Sequence, residues 1–234
     1  MKLVRVLQSQ GFGTRRVCVE RIRAGDVCLD GQVCDDPDAE CEPENLQFSI
    51  DGEVWRYREK AYVALHKPPG YECSHQPRHH PSVFTLLPPS MLARGVQCVG
   101  RLDQDTTGLL LLSDDGSFIH RVTSPKKHCD KVYVVTCKHP VDDALVMALR
   151  EGVKLHDELL PSTALSCERT SQHGLKLTIA EGKYHQVKRM VAAAGNRVDA
   201  LHRVAIGGYG LPQDLLPGTW RWMAGADLKQ LEGR

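Results

Sequence analysis

The 234-residue sequence contains no run of about 20 apolar residues, the length that a helix needs to cross a bilayer, so we expect no membrane-spanning segment. The residues after Met1 lead into no long apolar stretch, so we expect no secretory signal peptide. The nine cysteines lack the paired Cys-x-x-Cys spacing of zinc sites, and an odd count does not suit a secreted disulfide framework. We therefore expect reduced cysteines, no bound metal and a cytoplasmic location without membrane contact.

Positive charge is missing from residues 26–53, although the net charge of the whole chain is only +1. The preceding residues 1–25 are strongly basic, so the start of the chain is a dipolar module with one face suited to a polyanion. Arginines clustered on one helix favour RNA binding, whereas a solvated helix face or ion pairs with the acidic stretch 35–44 are the alternatives. The arginines concerned are Arg15, Arg16, Arg21 and Arg23.

Local patterns in this module predict two helices and a hairpin. Apolar residues at helical spacing predict a first helix over residues 2–10, and Thr14 suits the N-cap of a second helix that ends at Gly25. The Asp-Gly pair at 30–31 predicts a tight turn between two short strands. The side chains expected to face inward from the second helix are Val17, Cys18 and Ile22.

Beyond residue 60, segments with strand patterns outnumber helices and do not alternate with them regularly. That order favours an α+β fold with a mixed, mostly antiparallel sheet over a doubly wound nucleotide-binding fold. We expect a small N-terminal domain at residues 1–58 and a larger domain at residues 60–234. Predicted elements of the larger domain include a strand over 61–65 that ends before His66, a short strand over 153–155 and a helix from Glu181 to about Ala194.

The loop from Gly100 to Gly108 places more polar chemistry beside an apolar run than any other part of the chain. The run Leu109–Leu112 that follows predicts a short strand buried on both faces. A loop fixed to such a strand holds its polar side chains in constant positions, as catalysis requires. From the residue types alone, Arg101 and Asp103 suit an ordinary ion pair in a structural loop equally well.

Four separated segments resemble one enzyme family, and their order along the chain makes the resemblance specific. They are similar to the RsuA-type ribosomal RNA pseudouridine synthases, and most similar to the members that act on small-subunit RNA. The basic helices and the hairpin at the start resemble an RNA-binding domain of the S-four type. The matching segments are His66–Gly70, Gly100–Gly116, Lys131–Tyr133 and Glu181–Met190.

The resemblance implies that the protein isomerises uridine to pseudouridine in RNA without a cofactor. In this family an aspartate is the nucleophile, as carboxylates are in retaining glycosidases, and here that residue is Asp103. A buried carboxylate stays ionised only beside a cation or donors, and Lys188 occupies the position that the family fills with a basic residue. Tyr133 is expected to stack on the uracil, Arg101 to fill the gap left by the extruded base, and Lys67 to contact the substrate.

Further RNA contacts are expected from Lys126, Lys127 and Arg189. The predicted target is uridine 516 of 16S rRNA in a small-subunit assembly intermediate, and the protein is expected to act as a monomer. A uridine of 23S rRNA is the alternative target. A non-catalytic RNA-binding factor in ribosome assembly is the alternative of a different class, because the basic helix would serve it equally well.

Overall fold

The computed structural model describes residues 1–124 and 129–232. The chain divides into two compact units, each of which gathers two separate stretches of sequence. The first unit consists of Met1–Ala61 and Leu87–Gln97, and the second consists of Tyr62–Leu86 and Cys98–Arg234.

Three expectations from the sequence concern membrane spans, the contacts of two lysines with RNA, and the domain limits. In the described part of the chain, no helix combines the length and the apolar character that a membrane crossing requires. Lys126 and Lys127 lie outside the described residues, so their predicted RNA contacts have no structural counterpart here. The domain limits 1–58 and 60–234 stay a prediction.

The first unit combines short helices with a small sheet, and its elements are α1 (Leu3–Ser9), α2 (Arg15–Arg23), β1 (Val27–Leu29), β2 (Gln32–Val33), β3 (Gln47–Ile50), β4 (Glu53–Arg56) and α3 (Pro89–Ala93). The strand order in the sheet is β2-β1-β3-β4. The hydroxyl of Thr14 accepts a hydrogen bond from the backbone N–H of Val17, so Thr14 caps α2 as predicted. Asp30 and Gly31 have φ angles of 48° and 81°, the left-handed conformation that a two-residue hairpin turn needs.

One inward position of α2 was predicted wrongly. Cys18 and Ile22 are fully buried, but Val17 is 37% exposed. Residues four apart lie on one face of a helix, whereas Val17 and Ile22 are five apart and point about 140° away from each other. The buried face of α2 therefore follows Cys18 and Ile22, and Val17 lies outside it.

The strands of the remaining chain are β5 (Tyr62–Lys67), β6 (Gln97–Val99), β7 (Thr107–Ser113), β8 (Lys131–Cys137), β9 (Ser166–Arg169), β10 (Gly174–Ile179), β11 (Val198–Ile206), β12 (Tyr209–Gly210) and β13 (Trp220–Trp222). The helices are α4 (Gly116–Thr123), α5 (Asp143–Glu151), α6 (Gln186–Ala193) and α7 (Gly225–Glu232), with a 3₁₀ turn at Val83–Leu86. Among the described residues, the strand order is β13-β5-β7-β11-β8-β10-β9. Strands β7 and β11 run parallel and the other neighbours run antiparallel, which confirms the predicted α+β fold with a mostly antiparallel sheet.

Three element boundaries in this unit differ from the prediction. Strand β5 continues through Lys67, because the prolines that end it come only afterwards. The strand expected over 153–155 is reduced to an isolated bridge between Val153 and Ser162. Helix α6 begins at Gln186 and not at Glu181, because the amide oxygen of Gln186 accepts the backbone N–H of Lys183 and closes a loop ahead of the helix.

Strand β7 is the centre of this unit. Leu109, Leu110, Leu111 and Leu112 are all fully buried, as the apolar run predicted. Leu109 and Leu111 pack into a core that includes Phe118 of α4. Because β7 pairs with β5 on one side and β11 on the other, the polar loop that precedes it is attached to the middle of the sheet.

The start of β7 comes unusually close to β11. Gly108 pairs with Arg203 in the parallel register, and its φ of +104° is one that residues with side chains rarely adopt. A Cβ atom at Gly108 would lie 2.2 Å from the carbonyl oxygen of Arg203 and 2.7 Å from its nitrogen. Glycine is therefore the residue that lets the two strands meet at this point.

The change Gly108→Ala should lower the free energy of unfolding by about 3 kcal/mol or more, because it adds both an unfavourable φ and a backbone clash. Gly116→Ala is the matched control, since a Cβ there meets nothing within 4 Å and the residue starts a helix. The control should be neutral or stabilising by up to about 1 kcal/mol. Urea unfolding followed by circular dichroism measures both, and equal midpoints would contradict this account of the strand contact.

Candidate active site

Asp103 lies in the loop before β7, and two basic side chains hold its carboxylate. Its Oδ1 is 3.2 Å from Nε2 of His185, and its Oδ2 is 3.1 Å from Nζ of Lys188. His185 is the N-cap residue of α6 and Lys188 follows three positions later, so both project from the same side of the first turn. The Asp103 side chain keeps 28% of its surface exposed, so the carboxylate is held and still accessible.

Lys188 also pairs with a second carboxylate of the same loop. Its Nζ donates to both oxygens of Asp105, at 2.7 and 2.9 Å. Burial by itself would lower the pKa of Lys188, but the hydrogen bonds and charges of Asp105 and Asp103 outweigh it and raise that pKa. Burial would likewise raise the pKa of Asp105, but Lys188 outweighs it and the pKa of that carboxyl is lowered. The lysine is therefore a stable cation that links two points of the loop to α6.

Lys67 holds the same loop from the inside. It is fully buried, and its Nζ donates to three backbone carbonyl oxygens, those of Pro68 at 3.1 Å, Gln104 at 3.1 Å and Thr106 at 2.9 Å. Burial lowers the pKa of Lys67, while nearby anions such as Asp105 oppose the shift. An ammonium has three protons to donate, and here each one has a carbonyl partner. The side chain thus faces the backbone on either side of Asp105, directly after Asp103.

A cavity of about 760 Å³, open to solvent, lies beside Asp103. This volume includes solvent-open space at the mouth of the cavity. Its walls come from the polar loop, from the segment around α6 and from strands β8 and β11. The charged and aromatic side chains that line the cavity include those of Arg101, Asp103, Lys131, Tyr133, His185 and Arg203.

The sheet side of the cavity is formed by alternate residues of two paired strands. Tyr133 of β8 lies directly opposite Arg203 of β11, and both are less than a tenth exposed. Arg203 donates from Nε to the carbonyl oxygen of Leu109 at 2.8 Å and from Nη1 to the hydroxyl of Tyr133 at 3.5 Å. Lys131, two residues before Tyr133, is also buried, and its closest hydrogen-bond acceptor is the carbonyl oxygen of Ala180 at 3.4 Å.

The structure brings only some of the predicted site residues together. Arg101, Asp103 and Tyr133 line the cavity, and Lys188 contacts Asp103 from α6. Arg189 points elsewhere, to Asp157 at 3.4 Å and to the carbonyl oxygen of Tyr184 at 3.5 Å. The first-unit arginines Arg15, Arg16 and Arg23 are exposed, whereas Arg21 is ion-paired with Asp26 and Asp51.

Sequence reasoning missed His185, Asp105, Lys131 and Arg203. His185 was overlooked because the segment before Gln186 was taken as helix, although His185 and Lys188 have the i, i+3 spacing of one helix face. Arg203 carried a detectable signal, because it lies two residues after Leu201 in a strand and therefore on the same, buried face. A lone arginine at an inward strand position usually has a specific partner.

Comparisons with known proteins agree with this geometry. The model of the RNA pseudouridylate synthase family matches residues 61–193, and the S4 domain model matches residues 1–46. The chain is 42% identical to ribosomal small subunit pseudouridine synthase A of Yersinia pestis over 91% of both proteins. It is 40% identical to the Escherichia coli K12 protein of the same name, covering 94% of this chain and 95% of that protein.

A solved structure of a pseudouridylate synthase covers 99% of this chain and 99% of its own, with a TM-score of 0.70 and 36% sequence identity. The family match spans more than half of the chain and includes the loop with Asp103, β8 with Tyr133 and the whole of α6. The relatives, the fold and the site geometry agree, and the chain belongs to the RNA pseudouridylate synthase family, with an S4 domain at its N-terminus.

Proposed function

We propose that this protein isomerises one uridine of ribosomal RNA to pseudouridine, with Asp103 as the nucleophile. The observation that carries the proposal is an accessible carboxylate, held by His185 and Lys188, at a cavity that is open to solvent. The proposed target is uridine 516 of 16S rRNA in a small-subunit assembly intermediate, supported by relatives named as small-subunit enzymes. The protein acts as a monomer in this proposal.

The reaction needs only atoms that the RNA already contains. The Asp103 carboxylate attacks the anomeric carbon C1′ and forms a C1′–O bond, while the C1′–N1 bond breaks and its electron pair stays with the uracil. The freed uracil turns within the cavity, and C5 then bonds to C1′ as the C1′–O bond breaks. N1 ends with a proton and C5 loses one, so the composition of the product equals that of the substrate.

Asp103 attacks as an anion, and its neighbours favour that form. The Lys188 ammonium, whose pKa is raised by its own carboxylate partners, remains charged throughout the neutral range. Nε2 of His185 donates to the other oxygen and limits rotation of the carboxylate. Lys67 supports the backbone on both sides of Asp105, directly after Asp103, and we propose this positioning role for it in place of a direct contact with substrate.

A base within an RNA helix must swing out of the stack before C1′ is reached, at a cost of a few kcal/mol. Arg101 is exposed at the edge of the cavity, where a long cationic side chain fills the gap left in the RNA. Tyr133 presents its ring within the cavity, where it stacks on the extruded uracil. Together these residues offset part of the cost of extrusion.

Asp103→Asn keeps the shape of the side chain and removes the nucleophile. Release of tritium from RNA labelled at C5 of uridine should fall by several orders of magnitude, each factor of ten being about 1.4 kcal/mol in the barrier. Asp214→Asn is the matched control, because Asp214 also pairs with a basic side chain but on the exposed surface. The control should retain the wild-type rate.

Near-normal tritium release by Asp103→Asn would exclude Asp103 as nucleophile. If the wild-type protein yields no pseudouridine on free rRNA or on subunit precursors, by carbodiimide mapping, the non-catalytic assembly factor becomes the better explanation. A modified site in 23S rRNA would retain the chemistry and change the target.

Changes at Lys188 separate its charge from its shape. Lys188→Met should reduce the single-turnover rate about 100-fold or more, because Asp103 loses its facing cation, whereas Lys188→Arg should stay within about tenfold. Lys176→Met, on the exposed face of β10, is the control. Equal rates for wild type and Lys188→Met would contradict the role of Lys188.

The first unit is proposed to contribute affinity and placement but no chemistry. Changing Arg15, Arg16 and Arg23 together to Ala should reduce the log–log salt slope of RNA binding by about 0.7 to 0.9 for each lost phosphate contact. Turnover at saturating RNA should remain within a few-fold of wild type, because these contacts bind substrate and transition state equally. Filter binding at several salt concentrations and single-turnover kinetics measure the two effects.

Arg21→Ala is the internal comparison for this set. Arg21 pairs with Asp26 and Asp51, so its loss should lower the melting temperature and leave the salt slope unchanged. A triple variant that melts earlier but keeps the wild-type salt slope would show that the exposed arginines also serve stability and do not contact RNA.

A further inference from the structure

Arg203 is a buried cation that pairs with no carboxylate among the described residues. It is 3% exposed, and none of the salt bridges among the described residues includes it. Its Nε and Nη1 have acceptors, but Nη2 is buried without a hydrogen-bond partner anywhere in residues 1–124 and 129–232. A buried donor of a charged group that lacks an acceptor lowers the stability of the folded protein. Such a group therefore indicates a site that a ligand completes.

The position of Arg203 points to what completes it. It lines the cavity that contains Asp103, and it lies directly across from Tyr133, whose ring is proposed to stack on the uracil. The guanidinium is planar and its Nε and Nη1 bonds fix its plane, so Nη2 is held in one direction. A fixed donor beside a stacking platform suits an acceptor on the edge of the stacked ring.

The charge around Arg203 favours an acceptor that becomes negative. Lys131 is buried on the same face of the sheet, and its closest acceptor is a carbonyl oxygen at 3.4 Å. Burial lowers the pKa of Lys131, and the positive charge of Arg203 lowers it further, against the opposing charges of Cys129 and Asp130. Two cations therefore share the sheet side of the cavity, while both carboxylates of the loop are paired with Lys188.

The reaction creates the negative charge that this arrangement suits. When the C1′–N1 bond breaks, the electron pair left on the uracil is delocalised from N1 onto its carbonyl oxygens. A donor that meets an oxygen on which charge develops stabilises the transition state more than the bound substrate. Arg203 can act on that charge without moving, because Leu109 and Tyr133 already fix its orientation.

We infer that Nη2 of Arg203 donates a hydrogen bond to a carbonyl oxygen of the extruded uracil, and that Arg203 stabilises the negative charge on the base as the glycosidic bond breaks. Arg203 is thus a second electrostatic element of the site, directed at the base, whereas Lys188 is directed at the nucleophile. The inference rests on the proposed function, and it adds the group that stabilises the negative charge left on the uracil.

The test combines a change in the protein with a change in one atom of the substrate. Target RNA is made with uridine, 2-thiouridine or 4-thiouridine at the modified position, because sulfur accepts hydrogen bonds poorly compared with oxygen. Single-turnover rates are measured for the wild type and for Arg203→Gln, with product nucleosides identified by chromatography and mass detection. Arg203→Gln alone should lower the uridine rate about 100-fold, the usual effect of losing one preorganised donor.

The decisive quantity is the ratio of the uridine rate to the thiouridine rate. For at least one of the two sulfur positions, this ratio should be about tenfold larger in the wild type than in Arg203→Gln. Sulfur at that position weakens the hydrogen bond from Arg203 in the wild type, whereas in Arg203→Gln this charge-assisted bond is already absent. Equal ratios at both positions would overturn the inference, because a residue that only braces the strands cannot sense which atom the base carries. Arg169→Gln, an exposed arginine of β9, should keep the wild-type rate and ratio.

Two further results are distinguished from a failure of the Arg203 inference: an inactive wild type and a variant that does not fold. A wild type that forms no pseudouridine on the unmodified RNA would defeat the proposed function itself, before Arg203 is considered. If circular dichroism shows that Arg203→Gln does not fold, the same rate ratios are measured with Arg203→Lys, which keeps the charge but not the fixed plane. A ratio in Arg203→Lys equal to that of the wild type would then count against the directed hydrogen bond.

Discussion

The close parallel approach of β7 to β11 at Gly108 determines the geometry of the whole site. Gly108 ends the loop that contains Asp103, and Arg203, its partner in the register, forms part of the cavity wall. The approach is possible only because residue 108 has no Cβ atom. Since β7 is buried on both faces, neither strand can shift without disturbing the core, and the distance between loop and wall is constant.

Electrostatics divides the site into two parts with different tasks. On the loop side, Lys188 is shared between Asp103 and Asp105, so the proposed nucleophile Asp103 lies within a paired network. On the sheet side, Lys131 and Arg203 are buried cations without carboxylate partners among the described residues. In the proposed reaction the substrate becomes electrophilic at C1′ and negatively charged at the base. Asp103 on the loop side then faces C1′, and the basic side chains of Lys131 and Arg203 on the sheet side face the base.

Most of the fold and part of the site were predictable from the sequence. The apolar run at Leu109–Leu112, the Thr14 cap and the Asp-Gly turn are local signals, and each was confirmed because local geometry alone determines them. Errors arose where side-chain contacts decide, whether the partners are near or distant in the sequence. The start of α6 depends on the contact between Gln186 and Lys183, and the loop it leaves brings His185 to a carboxylate 82 positions earlier.

By itself, the sequence determined the strand and helix types, the family and the identity of the candidate nucleophile, because these follow from periodicity and from contiguous motifs. Only the tertiary structure decided which cation meets which anion. Lys67 and Lys188 are both lysines in family motifs, yet one is saturated by three carbonyl oxygens and the other by two carboxylates. Arg203 is one more arginine in the sequence, and its unpaired donor exists only because the strands bury it beside the cavity. Burial and pairing are properties of the packed chain, since both depend on residues far apart in sequence.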